Sequence, residues 1–193
     1  MIFAEGRFCD AIATLDPMPA ELIARLQPGS LARRAYGLGI ARMQLGELAQ
    51  AWALFGEARH ALDSAGNARG PLWGGSDPLV MTLVLSSHVR ARQGLLDQAH
   101  CCAEEALQVS QDVGHTHTQA FAQMNFALSL LRKGEMAAAA EHGTRALQLS
   151  DRFGFMTVKA FVLMAIGCAQ VAGGQLDDGT RLAREGNALL RLC

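Results

Sequence analysis

Gly134-Glu-Met136-Ala-Ala-Ala139 is the stretch that decides the fold, because its pattern returns along the chain at an almost constant interval. The pattern is a glycine, a large apolar residue two positions later and a small residue three positions after that. It occurs five times, starting at Gly6, Gly46, Gly94, Gly134 and Gly174. The intervals are 40, 48, 40 and 40 residues. A near-constant period of this size predicts one supersecondary unit stacked into a solenoid.

Each unit reads as a pair of helices, because apolar residues recur three and four positions apart almost everywhere. In residues 96–113 one stripe is apolar and the other face is polar, and Gly114 follows where a helix commonly ends. The motif glycine then occupies the turn between two antiparallel helices. We expect an all-α, right-handed solenoid of about nine or ten helices, with long helices over residues 31–45, 48–65, 78–93, 96–113, 117–133, 136–153, 157–173 and 176–191.

A shared register predicts one continuous domain over residues 1–193. We expect a partial repeat over residues 1–30, containing helices over 7–15 and 20–27 around Pro17 and Pro19. Full repeats follow at about 31–66, 78–114, 117–154 and 157–193. The eight extra residues of the 48-residue interval fall in an insert over 67–77, which we interpret as a surface excursion because the 40-residue period resumes after it.

Composition narrows the classes of function. The net charge is -1 and no basic stripe is present, which disfavours direct binding of nucleic acid. The longest apolar run, residues 160–169, is too short to span a bilayer, and residues 1–16 carry charges where a signal peptide would be apolar. Five cysteines without a disulfide pattern favour a reducing compartment. The prediction is a cytoplasmic protein.

The motif residues resemble the tetratricopeptide repeat. That family pairs a small with a large residue in the first helix and places glycine, alanine and an aromatic residue after it. The unit at 31–66 fits well, with matching residues Leu38, Gly39, Gly46, Leu48, Ala51, Phe55 and Ala58. The unit at 117–154 fits less fully, because Gly143 replaces the aromatic of the second helix, and the unit at 157–193 is a weaker match. The resemblance implies a protein-binding scaffold.

The 40-residue period is longer than the usual 34. Longer repeats of this kind resemble the tails of bacterial signalling ATPases, of adenylate-cyclase-like proteins and of LuxR-type regulators. Phrases similar to those tails occur at 73–78, 114–122, 151–155 and 185–191. The resemblance therefore implies a regulatory interaction module in bacterial signal transduction or transcription control. A tetratricopeptide domain that senses a small-molecule effector is the alternative.

Catalytic and metal-binding patterns are weak. The sequence contains no phosphate-binding loop, no H-E-x-x-H, no C-x-x-C and no G-x-S-x-G. His115 and His117, with His142, could begin a metal site, but both lie in a polar turn that more readily caps a helix. Ser86-Ser87-His88 are neighbours on a helix and do not face each other. We expect a non-enzymatic protein with no cofactor, no metal and no catalytic residue.

The resemblance also implies where a partner binds, since the first helix of each pair lines the concave groove in that family. The lysine and asparagine clamp used by chaperone-tail-binding members is missing. Instead the row is largely apolar, with methionines that suit irregular partners, although a narrow superhelix could equally bury the row against itself. The candidate partner-binding residues are Arg33, Tyr36, Ile40, Met43, Met81, Val84, His88, Arg92, Phe121, Met124, Leu128, Arg132, Phe161, Met164 and Cys168.

The ends of the chain lead to one more expectation. The first motif lacks most of its first helix, and the last helix carries Leu182, Leu189 and Leu190 without a polar capping helix after it. Solenoids use terminal units with a wet outer face, because a stacking surface otherwise stays exposed. We therefore expect a fragment or an incomplete array, whose C-terminal helices contact another copy or leave an apolar patch. Proteins or peptides, including other modules of the same parent protein, are the expected partners, with no membrane contact.

Overall fold

The structure, a computed structural model, describes residues 7–66 and 72–192. The described residues contain ten helices, α1 to α10, and no strand longer than an isolated bridge. The helices are α1 Phe8–Leu15, α2 Ala20–Ile23, α3 Pro28–Gln44, α4 Leu48–Ala65, α5 Pro78–Arg92, α6 Leu96–Val113, α7 Thr116–Lys133, α8 Met136–Phe153, α9 Met156–Ala172 and α10 Leu176–Leu190. The predicted all-α solenoid is confirmed.

Helix bounds follow the sequence signals closely. The largest differences are at α2 and α3, and α3 begins at Pro28, three residues before the predicted start. Proline at the first helical position costs no hydrogen bond there, and its fixed φ suits the helix. The short helix predicted over 20–27 ends earlier, at Ile23, because the chain must turn before entering α3.

The motif glycines occupy the turns between paired helices. Gly46, Gly94, Gly134 and Gly174 have φ between 78° and 87°, while Gly6 lies outside the described residues. At Gly134 the next N–H, of Glu135, donates to the carbonyl of Leu130 at 3.0 Å, and so satisfies an orphan carbonyl of the helix end. A side chain with a Cβ at this left-handed φ costs about 1 kcal/mol or more, which explains why glycine recurs.

Small residues allow the helix pairs to pack closely. A Cβ on Gly39 would lie 2.6 Å from Cε1 of Phe55, whose ring is fully buried between α3 and α4. In the last pair, Cβ atoms on Gly167 and Gly179 would each lie 2.6 Å from the other residue's carbonyl oxygen. Backbones that approach this closely leave no room for a methyl group, so glycine sets the spacing of α9 and α10.

The last residues of the loop before α5 are partly buried, which differs from the predicted surface excursion. Residues 67–71 of this loop lie outside the described residues, but Trp73 and Ser76 are 5% and 0% exposed. These two residues exchange backbone hydrogen bonds of 2.9 and 3.0 Å across Gly74 and Gly75, both with positive φ. Such a two-residue turn reverses the direction of the chain and places the indole of Trp73 in the protein interior. Trp73 and Ser76 are therefore part of the core, whereas Leu72 is exposed.

Polar contacts fix this loop against the next repeat. The hydroxyl of Ser76 lies 2.9 Å from Nδ1 of His117, and the N–H of Asp77 donates to the hydroxyl of Thr118 at 3.0 Å. Asp77 also accepts from the N–H of Leu79 and so caps α5. The insert thus links the start of α5 to the start of α7.

Candidate concave binding surface

The first helix of each pair forms the inner layer of the array. Helices α3, α5, α7 and α9 each contact the next one in that series. The second helices make no comparable contacts with one another along the described array, and pack instead on their sequence neighbours. Helices that lie closer together on one side of a stack place that side on the inside of its curve. We use the term concave row for the fifteen predicted residues on this layer.

The structure divides the concave row into three groups by exposure. Met43, Val84 and Met124 are buried, at 4%, 1% and 4% exposed, so they belong to the hydrophobic core of this conformation. Their burial agrees with the alternative that the superhelix partly covers its own row. Half-buried members are Tyr36, Ile40, Met81, His88, Phe121, Leu128 and Met164; exposed members are Arg33, Arg92, Arg132, Phe161 and Cys168.

Trp73 closes the α3 end of the concave row. Its ring centroid lies 4.6 Å from that of Tyr36, and the guanidinium of Arg33 lies 5.9 Å from the indole. Burial raises the pKa of Tyr36 well above its ordinary value. Sequence reasoning missed this residue because the loop insert was placed outside the core; the Gly74-Gly75 pair between Trp73 and Ser76 was the available signal.

A polar cluster occupies the middle of the concave row. Nε2 of His88 lies 3.1 Å from Oδ1 of Asn125, whose Nδ2 donates to the carbonyl of Phe121 at 2.8 Å. Burial, and then the charges of Arg132 and Arg92, lower the pKa of His88 to about 4, against the opposing effect of the Asn125 hydrogen bond. His88 is therefore neutral at pH 7. Asn125 was not among the predicted residues.

A cleft of about 560 Å³ opens beside this cluster, lined by His88, Ala91, Arg92, Leu96 and Arg132. The side chain of Leu96 comes from α6, so the cleft spans three helices near the turn at Gly94. Partial burial and the charge of Arg92 lower the pKa of Arg132. The cleft brings together three of the predicted residues, His88, Arg92 and Arg132, of which the two arginines are basic.

The α9 end of the concave row is open and apolar. Phe161 and Val171 are 40% and 38% exposed, and Cys168 is exposed beside them. A second cleft of about 440 Å³ runs between α9 and α10, lined by Gly167, Cys168, Val171, Ala172, Thr180, Ala183, Arg184 and Asn187. The surface therefore changes from covered at α3, through basic at α5 and α7, to apolar at α9.

The residues that suggested catalysis or metal binding have structural partners. His115 caps α7, with Nδ1 3.0 Å from the hydroxyl of Thr118, and His142 lies 2.7 Å from Oε1 of Gln123. Ser86 donates to the carbonyl of Thr82 at 2.9 Å, away from His88. These contacts account for each group as part of the fold.

No helix in the described part of the chain combines the length and the apolar character needed to cross a membrane.

No protein-family model matches the chain, and a search of curated proteins finds no match. Solved structures do match. The apo form of RapI is similar with a TM-score of 0.80 at 12% identity, over 97% of this chain and 66% of that one. BtubC (BKLC) from P. vanneervenii is similar with a TM-score of 0.73 at 20% identity, over 98% and 74%.

A putative kinesin light chain of Podosopora anserina, described as having nearly identical TPR-like repeats, is also similar. Its TM-score is 0.70 at 14% identity, over 97% of this chain and 89% of that one. At such identities the likeness concerns the fold. The fold of this chain is that of the tetratricopeptide-like helical repeats.

Proposed function

We propose that this chain is a non-enzymatic interaction module that binds an extended or helical segment of a protein along its concave row. The observation that carries the proposal is the open stripe of α9. Phe161, Met164, Cys168 and Val171 recur at helical spacing and are exposed or half-buried, while the intervening Val162, Leu163 and Ala165 are buried. An exposed aromatic among adaptable side chains is typical of a binding hot spot.

The finer role we propose is regulatory, in a cytoplasmic signalling or transcription-controlling protein of bacteria. Its support is the resemblance of residues 31–193 to the repeat tails of such regulators, together with the repeat fold. An effector-sensing domain would enclose its ligand. The two clefts, one beside His88 and one between α9 and α10, are open to solvent, which favours a peptide or another module of the parent protein.

Association through the last helix pair is part of the same proposal. The cleft between α9 and α10 corresponds, forty residues later, to the groove of α7 and α8 on which α9 packs; there a Cβ on Gly143 would lie 2.9 Å from Cγ1 of Ile166. Leu189 and Leu190 are partly buried in their own chain, whereas Leu176 is 62% exposed. A further helix from a second copy or a parent protein is the occupant we propose for this groove.

A peptide-display selection tests the binding proposal without a known partner. Peptides enriched on the wild-type chain are expected to lose affinity at least tenfold for Phe161→Ser, because truncating an anchoring aromatic commonly costs about 2 kcal/mol or more. Phe153→Ser is the matched control, since Phe153 is 48% exposed but lies at the end of α8. Equal loss in both variants, or no loss in Phe161→Ser, would contradict the proposal.

A further inference from the structure

Arg92 and Arg132 occupy the same position in successive repeats, two residues before Gly94 and Gly134. Each lies in the last turn of its helix, α5 or α7, and both line the cleft of about 560 Å³. The 40-residue period therefore brings two guanidinium groups to one opening, where His88 and Leu96 complete the wall.

Neither arginine forms an ion pair with a carboxylate within residues 7–66 and 72–192. Arg92 donates one Nη1–H to the carbonyl of Met43 at 3.1 Å, and the charge of Arg92 contributes to lowering the pKa of Arg132. Arg42, on the same inner layer, behaves differently: it bonds to both Glu47 at 2.7 Å and Asp16 at 2.9 Å. The two cleft arginines thus have donors left over and repel each other.

A purely structural role explains only part of this arrangement. A cation in the last turn of a helix gains roughly 0.3–1 kcal/mol from the helix dipole. That gain is available at any point around the turn and does not require two arginines to converge on one cleft. Convergence without an acid is what a site for an external anion requires, because the anion removes the repulsion and takes the unused donors.

The surroundings favour a singly charged anion. Both guanidinium groups lie at helix C-termini, whose partial negative charge disfavours a phosphate dianion compared with a carboxylate. His88 is neutral at pH 7 and bonds to Asn125, so it adds no third positive charge. Ala91 and Leu96 offer apolar contacts for the methylene groups of a glutamate side chain.

We propose that this cleft binds a side-chain carboxylate of an acidic segment in the protein partner, held between Arg92 and Arg132. The proposal rests on the proposed function and deepens it. Carboxylates would then dock near the turns of α5 and α7 while apolar side chains of the same segment lie on α9.

The probe is a fluorescent ten-residue peptide carrying two glutamates among apolar residues, compared with a twin carrying glutamines. At low salt the glutamate peptide is expected to bind at least tenfold more tightly by fluorescence anisotropy. Arg92→Gln with Arg132→Gln should abolish this preference. The control is Arg145→Gln with Arg181→Gln, which removes the same charge from exposed sites on α8 and α10 and should preserve the preference. Circular dichroism confirms that each variant is folded.

Equal binding of the two peptides, or a preference that survives in the Arg92 and Arg132 variant, would overturn the inference. Tighter binding of a phosphoserine twin than of the glutamate peptide would also overturn it, in favour of a phosphate site. The two proposals fail separately. Display-selected peptides that need Phe161 but tolerate loss of both arginines would sustain the proposed function alone. A glutamate preference that depends on the arginines, without any display-selected peptide, would sustain the carboxylate site alone.

Discussion

Gly186→Val is expected to destabilise the last helix pair by roughly 3 kcal/mol or more, because bulk added to a tight contact forces backbones apart. A Cβ on Gly186 would lie 2.5 Å from the carbonyl oxygen of Ala160 and 3.1 Å from the backbone nitrogen of Met164. Backbone atoms of α9 cannot swing aside as a side chain can. Urea unfolding by circular dichroism, with hydrogen exchange of α10, measures the effect.

Gly56→Ala is the matched control for this substitution. Gly56 is also helical, in α4, but a Cβ there meets no atom within 4 Å. Alanine should stabilise the helix by roughly 0.5–1 kcal/mol, because glycine loses more conformational entropy on folding. A Gly186→Val variant with the same free energy of unfolding as the wild type would contradict the close approach of α9 and α10.

His88 is expected to make the protein less stable as the pH falls from 6.5 towards 4. Its pKa is about 4 in the folded protein, against the ordinary histidine value of 6.5 in the unfolded chain, so the unfolded chain binds a proton first over this range. Neutral His88 therefore contributes its full stability above pH 6.5. As the pH falls towards 4, this contribution is lost and the free energy of unfolding decreases by about 2–3 kcal/mol.

His88→Gln should remove this part of the pH dependence while keeping a donor for Asn125. The pKa values of His117 and His142 are also lowered, chiefly by burial, so they contribute slopes of the same sign in both proteins. The difference between wild type and variant isolates His88. Urea unfolding at pH 7.0, 6.0, 5.0 and about 4.5 gives that difference; parallel curves for the two proteins would contradict the assignment.

The helix pairs could be predicted because their signals are local. A glycine at a left-handed turn, a 3.6-residue apolar period and a proline at a helix start each act over a few residues, and Gly94, Gly134 and Pro78 all lie where such signals place them. The start of α3 shows the limit of such local signals. Pro28 indicates a helix boundary, but the sequence does not say whether the proline lies just outside the helix or at its first position.

The inward turn at Trp73 could not be read in the same way. Its burial depends on contacts with Tyr36 and with the start of α7, which are distant in sequence. Burial within the concave row has the same origin: Met124 and Met164 hold matching places in successive repeats, ten residues before Gly134 and Gly174, yet Met124 is buried and Met164 is half-buried. Curvature and neighbouring repeats decide such differences, and a one-dimensional pattern does not contain them.

The basic cleft could not be predicted from single residues, because it forms only when successive repeats stack. Arg92 and Arg132 were predicted one by one as members of the concave row, but only the stacking of α5 on α7 brings both to one opening beside His88. Asn125, which fixes the imidazole, looks in the sequence like an ordinary polar residue of a helix. Its role appears only when two helices are placed side by side.

Methionine-methyl NMR with a display-selected peptide tests the central claim, binding along the concave row, most directly. Met81 and Met164 report on this row, whereas Met136 and Met156 begin α8 and α9 at the turns and serve as internal controls. We expect the Met81 and Met164 resonances to shift as peptide is added while those of Met136 and Met156 stay in place. Shifts confined to Met136 and Met156 would contradict the account.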